Sequence, residues 1–129
     1  MWKRIGRGNY IRYPVTQRQI DSILDNELKD IQFPIKPVYN PRIKDNGRII
    51  AERNALGRIV GIKKIEIGKQ DKPDKKFLID TILHEQLEAE ILINQDFDPF
   101  YEQLGKASDD DRHSWILQKI TEYFKLKGF

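Results

Sequence analysis

A change of period in the apolar pattern near residue 70 does most to restrict the folds open to this chain. Ahead of it, in the run Arg58 to Ile67, Ile65 and Ile67 share one face, with Ile62 and the charged Lys64 and Glu66 on the other. A period of two belongs to a strand with one buried and one wet side. Behind it, Leu83, Leu87 and Ile91 recur every fourth residue, widened by Phe77, Ile79 and Ile82. That spacing predicts a helix from about 75 to 93.

The neighbouring segments extend the pattern. Arg48 to Glu52 reads as a second strand, and Asn54-Ala55-Leu56-Gly57 between the two supplies hairpin chemistry, with Gly57 free to take positive φ. Thr16 and Gln19 have capping-box spacing ahead of Ile20, Ile23, Leu24 and Leu28, which predicts a helix from about 17 to 30. Pro34, Pro37 and Pro41 leave the next stretch extended or an edge strand. Asp74 is a candidate cap for the long helix. Ser108 to Asp111 resembles a cap for a last helix, to about 126, that buries Ile116, Ile120, Tyr123 and Phe124. Between these two helices, Phe97, Pro99, Phe100 and Tyr101 read as a connection anchored by aromatic side chains. The expected fold is therefore α+β: an N-terminal helix, a small antiparallel sheet built on a hairpin, and two C-terminal helices packed on it. Residues 1–15 read as a basic extended arm holding Trp2, Tyr10, Ile11 and Tyr13, and 16–129 as one domain.

Composition narrows the chemistry. At 129 residues the chain is of ordinary size for one domain, and its two Trp, five Tyr and six Phe suffice for one core. No apolar run is long enough for a membrane span, and no apolar stretch follows the basic residues at the start, so no signal peptide is expected. With no cysteine, disulfides and thiolate chemistry are excluded, and any metal falls to His, Asp and Glu. The net charge of +3 is a mild excess, concentrated in Lys3, Arg4, Arg7, Arg12 and Arg18, while the stretch from Ile79 to Asp111 is rich in acids. Basic segments of this kind bind phosphate backbones or remain solvated. Tyr10, Tyr13 and Tyr39 are placed to stack on bases or to anchor the core, and the glycine pairs at Gly6 and Gly8 and at Gly57 and Gly61 lack the strand–loop–helix order of a phosphate loop.

The residues with most chemistry are His84, Glu85 and Glu88 in one helix, and His113, the only other histidine. His84 and Glu88 are four apart and share a face, with Glu85 about 100° round from His84. His113 lies on or beside the inward stripe of the last helix, so two adjacent helices can bring the set together. Two mechanisms suit it. In one, His84 and His113 are an acid/base pair acting on a ribose hydroxyl and a leaving oxygen, with Glu85 and Glu88 orienting them. Arg42, Arg48, Arg53, Lys63, Lys64 and Arg112 are then candidates to stabilise phosphoryl charge, with Arg42 and Arg48 preferred. In the other, His84, Glu88 and His113 bind zinc and Glu85 is the general base, although Glu88 stands where a zinc-peptidase motif has its second histidine. A third reading makes the glutamates the wet face of an amphipathic helix in a non-catalytic binding module.

Three runs carry a resemblance: Tyr39 to Arg48, Ile65 to Lys69, and Leu78-Ile79-Asp80-Thr81-Ile82-Leu83-His84-Glu85-Gln86-Leu87-Glu88-Ala89. With Arg112 to Ile116, they make residues 17–125 similar to the C-terminal effector segments of bacterial polymorphic toxins, the Rhs-type and wall-associated contact-dependent toxins. The resemblance implies a toxin domain delivered, by secretion or from the cell surface, as part of a larger carrier. It implies action in the cytoplasm of a target cell and neutralisation by a cognate immunity protein. Many such effectors are nucleases that cut transfer RNA, so the expectation is a metal-independent ribonuclease, with a zinc-dependent hydrolase as the alternative.

Overall fold

The computed structural model describes residues 11–128. Lys3, Arg4, Arg7, Trp2 and Tyr10 of the expected arm therefore lie outside the described residues. The order of elements is α1 (Gln17–Asp25), β1 (Val38–Tyr39), β2 (Gly47–Arg53), β3 (Ile59–Ile67), α2 (Lys75–Asn94), α3 (Pro99–Lys106) and α4 (Asp109–Lys127). This is the expected α+β arrangement.

Local chemistry sets the ends of these elements. Thr16 and Gln19 cap α1 reciprocally, Asp74 caps α2 by accepting from the amide of Phe77, and Ser108 caps α4 by accepting from that of Asp111. Asp109, Asp110 and Asp111 then sit at the positive end of α4, with Lys125 and Lys127 at its negative end. β2 and β3 form the antiparallel hairpin, and Gly57 in its loop has a φ of 80°. Beside β3 lies β1, whose two residues pair in parallel with Glu66 and Ile67, so the sheet is mixed, in the order β1-β3-β2. A parallel partner needs a long crossover, and here the hairpin-bearing stretch between residues 40 and 58 provides it. α1 stops at Asp25, short of the expected 30, and turns carry the chain to Asp30. The connection after α2 is itself helical: Asp98 caps α3 and Pro99 occupies its first turn.

The core lies between the sheet and the helices. Ile20, Ile23, Leu28, Ile67, Leu78, Ile79, Ile82, Leu83, Ile91, Ile116 and Ile120 form one buried cluster. Each such side chain taken from water contributes about 1.5–3 kcal/mol before entropy is counted. One face of β3 departs from expectation. Glu66, read as wet, is buried, because Asn40 Nδ2 and Arg48 Nε donate to its two carboxylate oxygens at 2.9 and 2.7 Å. The Asn40 hydrogen bond, followed by that of Arg48, holds its carboxyl below the usual range.

The segment after β3 ties several layers together. Gln70 pairs with Tyr13 through two backbone hydrogen bonds of 2.8 Å. Its buried side chain donates to the carbonyls of Asn46 and Gly68 and accepts from the Thr81 hydroxyl on α2 at 2.7 Å. Among the described residues no helix is long and apolar enough to cross a membrane.

Candidate metal centre

α2 presents His84 and Glu85 at its middle and Glu88 one turn further on, fixed by the burial of Leu83 and Ile82 beside them. α4 packs against α2 through Ile116 and Ile120, which turns His113 towards His84. The Nε2 atoms of the two histidines are 3.1 Å apart, with ring centroids at 4.8 Å and planes inclined by 70°. A carboxylate oxygen of Glu88 completes a triangle whose three atoms lie within 4.8 Å of one another.

These distances can be compared with those of a metal polyhedron. Two imidazole nitrogens about 2.0–2.1 Å from zinc in a tetrahedral site stand about 3.3 Å from each other, close to the separation found here. The carboxylate oxygen of Glu88 lies no more than 4.8 Å from either histidine nitrogen. The donors are two imidazoles and a carboxylate, a set used by hydrolytic zinc that keeps a fourth position open. His84 suits this role in a further respect. Burial, and then the charge of His113, lowers its pKa to about 4, so it is neutral at ordinary pH.

Glu85 and Arg112 build the surroundings. Glu85 is buried against Gly47 of β2. A Cβ at Gly47 would come within 2.8 Å of Glu85 Cγ, so only glycine leaves room for the carboxylate. Among the described residues nothing donates a hydrogen bond to that carboxylate, and burial, with Glu88 and Asp45 adding repulsion, raises its pKa to about 7. Arg112, next to His113 on α4, lies with Nε 3.5 Å from a Glu88 carboxylate oxygen and also pairs with Asp109. It joins α4 to the carboxylate and restrains its rotation.

The cleft is about 360 Å³ and is lined by Asp45, Asn46, Gly47, Phe77, Asp80, Thr81, His84, Glu85 and His113. Burial raises the pKa of Asp80 as well. The four predicted residues His84, Glu85, Glu88 and His113 thus come together. Arg48 does not join them, since its guanidinium is engaged with Glu66 across the hairpin. Arg42 lines a separate hollow with Arg12, Lys44 and Lys69. Sequence reasoning missed Asp45, Asn46 and Gly47 as walls of the cleft. The Asn46-Gly47 pair has the form of a turn before a strand, and nothing local marks the glycine as a seat for a side chain of α2.

Comparison of the chain with protein-family models, with curated proteins and with solved structures found no match. The chemistry of the site therefore rests on its own geometry.

Proposed function

We propose that this chain is a metal-dependent hydrolase with one divalent ion, zinc by preference, held by His84, Glu88 and His113. The observation that carries the reading is the 3.1 Å approach of the two Nε2 atoms beside a carboxylate. It ranks the metal reading above metal-free acid/base catalysis. An acid and a base that act on opposite sides of a phosphodiester need the phosphorus between them, and two nitrogens in contact leave no such space.

A bound ion supplies Lewis-acid polarisation of the substrate oxygen and acidifies water at neutral pH. The chain's own residues do the rest. Glu85, in the same cleft, takes a proton from the attacking water and passes it to the leaving group. Arg112 keeps Glu88 aligned, and Asp45 and Asp80 set the negative character of the cleft wall. In line with the toxin resemblance, the proposed role is that of an effector domain acting on RNA, transfer RNA first, in the cytoplasm of a target cell. An immunity protein that covers the cleft belongs to the same proposal.

The test is to measure zinc content and RNA cleavage for the wild type and for His84→Ala, Glu88→Ala and His113→Ala, with and without EDTA. The expected outcome is a single zinc per chain and cleavage that stops in EDTA and returns with zinc. Each variant loses both zinc and cleavage. Full cleavage in EDTA would sink the metal reading in favour of the histidine acid/base pair. Neither zinc nor cleavage would leave a binding module.

A further inference from the structure

The loop that walls the metal cleft has a second side. Asp45, Asn46 and Gly47 face His84, Glu85 and His113, while Pro41, Arg42, Ile43 and Lys44, just ahead of them, line a hollow of about 650 Å³ with Arg12 and Lys69. The charge reverses within a few residues of chain, from cations on one side to carboxylates on the other. Lys44 and Asn46 are at most ~7 Å apart along the backbone, comparable with one phosphate-to-phosphate step in a single strand.

The cations of the hollow are not consumed by the fold. Among the described residues Arg42, Lys44 and Lys69 have no carboxylate partner, although the chain carries 20 acidic residues. Arg12 does the structural work. Its guanidinium donates to the backbone carbonyls of Lys44 and Lys69, reaches Asn46 Oδ1 at 3.4 Å and faces Asp71 at 3.5 Å. It thereby holds the two lysine-bearing segments side by side and leaves their ammonium groups for a ligand. Three unpaired cations kept close in a concave wall repel one another, and an anion that spans them relieves that repulsion.

We propose that the hollow lined by Arg42, Lys44 and Lys69 is a subsite for the phosphate backbone of a single-stranded nucleic acid, next to the phosphodiester that enters the His84–Glu88–His113 centre. As a place adjoining the scissile bond it rests on the metal-hydrolase reading, whereas as a backbone contact it rests on binding alone. The mechanism is counterion release: each lysine or arginine that takes a phosphate frees condensed cations, whatever the base sequence. The acidic cleft beyond the loop then repels the strand everywhere except where an ion neutralises it, which directs one phosphodiester to the metal.

The experiment measures fluorescence anisotropy of a labelled single-stranded oligoribonucleotide with the full chain, in EDTA to stop turnover, over a range of NaCl concentrations. Arg42→Ala/Lys44→Ala/Lys69→Ala is compared with the wild type and with Lys29→Ala/Lys125→Ala, which removes exposed cations elsewhere. Removing three phosphate contacts lowers the slope of log affinity against log salt by about 2 and weakens binding by about tenfold or more at low salt. The control pair stays near wild type. Circular dichroism confirms that all three proteins are folded. An unchanged slope in the triple variant, or an equal drop in the control, overturns the subsite. Polyglutamate that binds as tightly, with the same dependence on the hollow, reassigns it to an acidic peptide and also overturns the proposal. Hydrolysis of a small ester such as bis-nitrophenyl phosphate by zinc-loaded wild type reads the metal centre by itself. Loss of that reaction alongside a reduced slope in the triple variant rejects the centre and keeps the backbone contact.

Discussion

Helices α2 and α4 each give one histidine to the site, yet they are held by the fold in different ways. α2 buries Leu78, Ile79, Thr81, Ile82, Leu83, Glu85, Ala89 and Ile91, and lies against both the sheet and the other C-terminal helices. α4 buries only Ile116 and Ile120, and His113, although turned towards His84, is itself exposed. One histidine is thus half-buried on a firmly packed helix and kept neutral by that burial, while the other is brought up from a helix with a lighter hold. A centre assembled this way has a fixed half and an adjustable half, and the two halves should answer differently to substitution.

The largest effect should come from the fixed half. Ile82→Ala removes a fully buried side chain next to His84 and should cost about 4 kcal/mol of stability, measured by urea unfolding. A cost below about 1 kcal/mol would mean that α2 is no more firmly held than α4.

The next effect depends on pH. Burial raises Glu85 from 4.5 to about 7 and lowers His84 from 6.5 to about 4. The native state therefore holds the Glu85 proton more tightly than the unfolded chain does. That contribution is complete below pH 4.5 and disappears as pH rises to 7. His84 acts in the opposite sense, because its neutral form favours the folded state increasingly from pH 4 to 6.5. Relative to wild type, metal-free Glu85→Gln should gain stability progressively from pH 4.5 to 7, by about 3 kcal/mol at the upper end. A difference between the two proteins that does not vary with pH would show that Glu85 is solvated and α2 less enclosed than described.

The smallest effect belongs to the adjustable half. His113→Ala in EDTA should alter the urea midpoint by less than about 0.5 kcal/mol equivalent, since an exposed side chain is removed. The same variant should no longer retain zinc on dialysis. A larger loss of stability would mean that the histidine contact itself secures α4.

Much of this was legible in the sequence where the signal is local. The caps at Thr16, Asp74 and Ser108, the positive φ of Gly57 and the stripes of α2 and α4 all follow from spacing within a few residues. That His84 and His113 can meet was legible from two helical faces able to pack on each other, and the structure brings them to 3.1 Å. β1 is the expected edge strand between Pro37 and Pro41, but two residues among prolines carry no period, so its parallel pairing with β3 could not be read locally. α3 was passed over although Asp98-Pro99 has the form of a helix start, since the aromatic residues around it suggested anchors; Phe97 and Phe100 in fact remain exposed. Glu66 departs from expectation for a physical reason. Alternation assigns a charged residue to the wet face, and it cannot show that Asn40, distant in sequence, supplies the hydrogen bond that lets a carboxylate go under. Arg48, chosen as a phosphate contact, is the second partner in that arrangement.

The side chain of Gln70 carries a consequence for motion. Its amide donates to Asn46 in the loop that walls the cleft and to Gly68 beside it, and its oxygen receives the hydroxyl of Thr81, one turn ahead of His84 and Glu85. Swinging the loop away from the helix would strand buried donors with no water to take them, at about 1–3 kcal/mol for each. Wall and floor of the cleft are therefore expected to open together as one cooperative unit. Amides on both should exchange with solvent at matching rates, and substrate entry is then left to the α4 side.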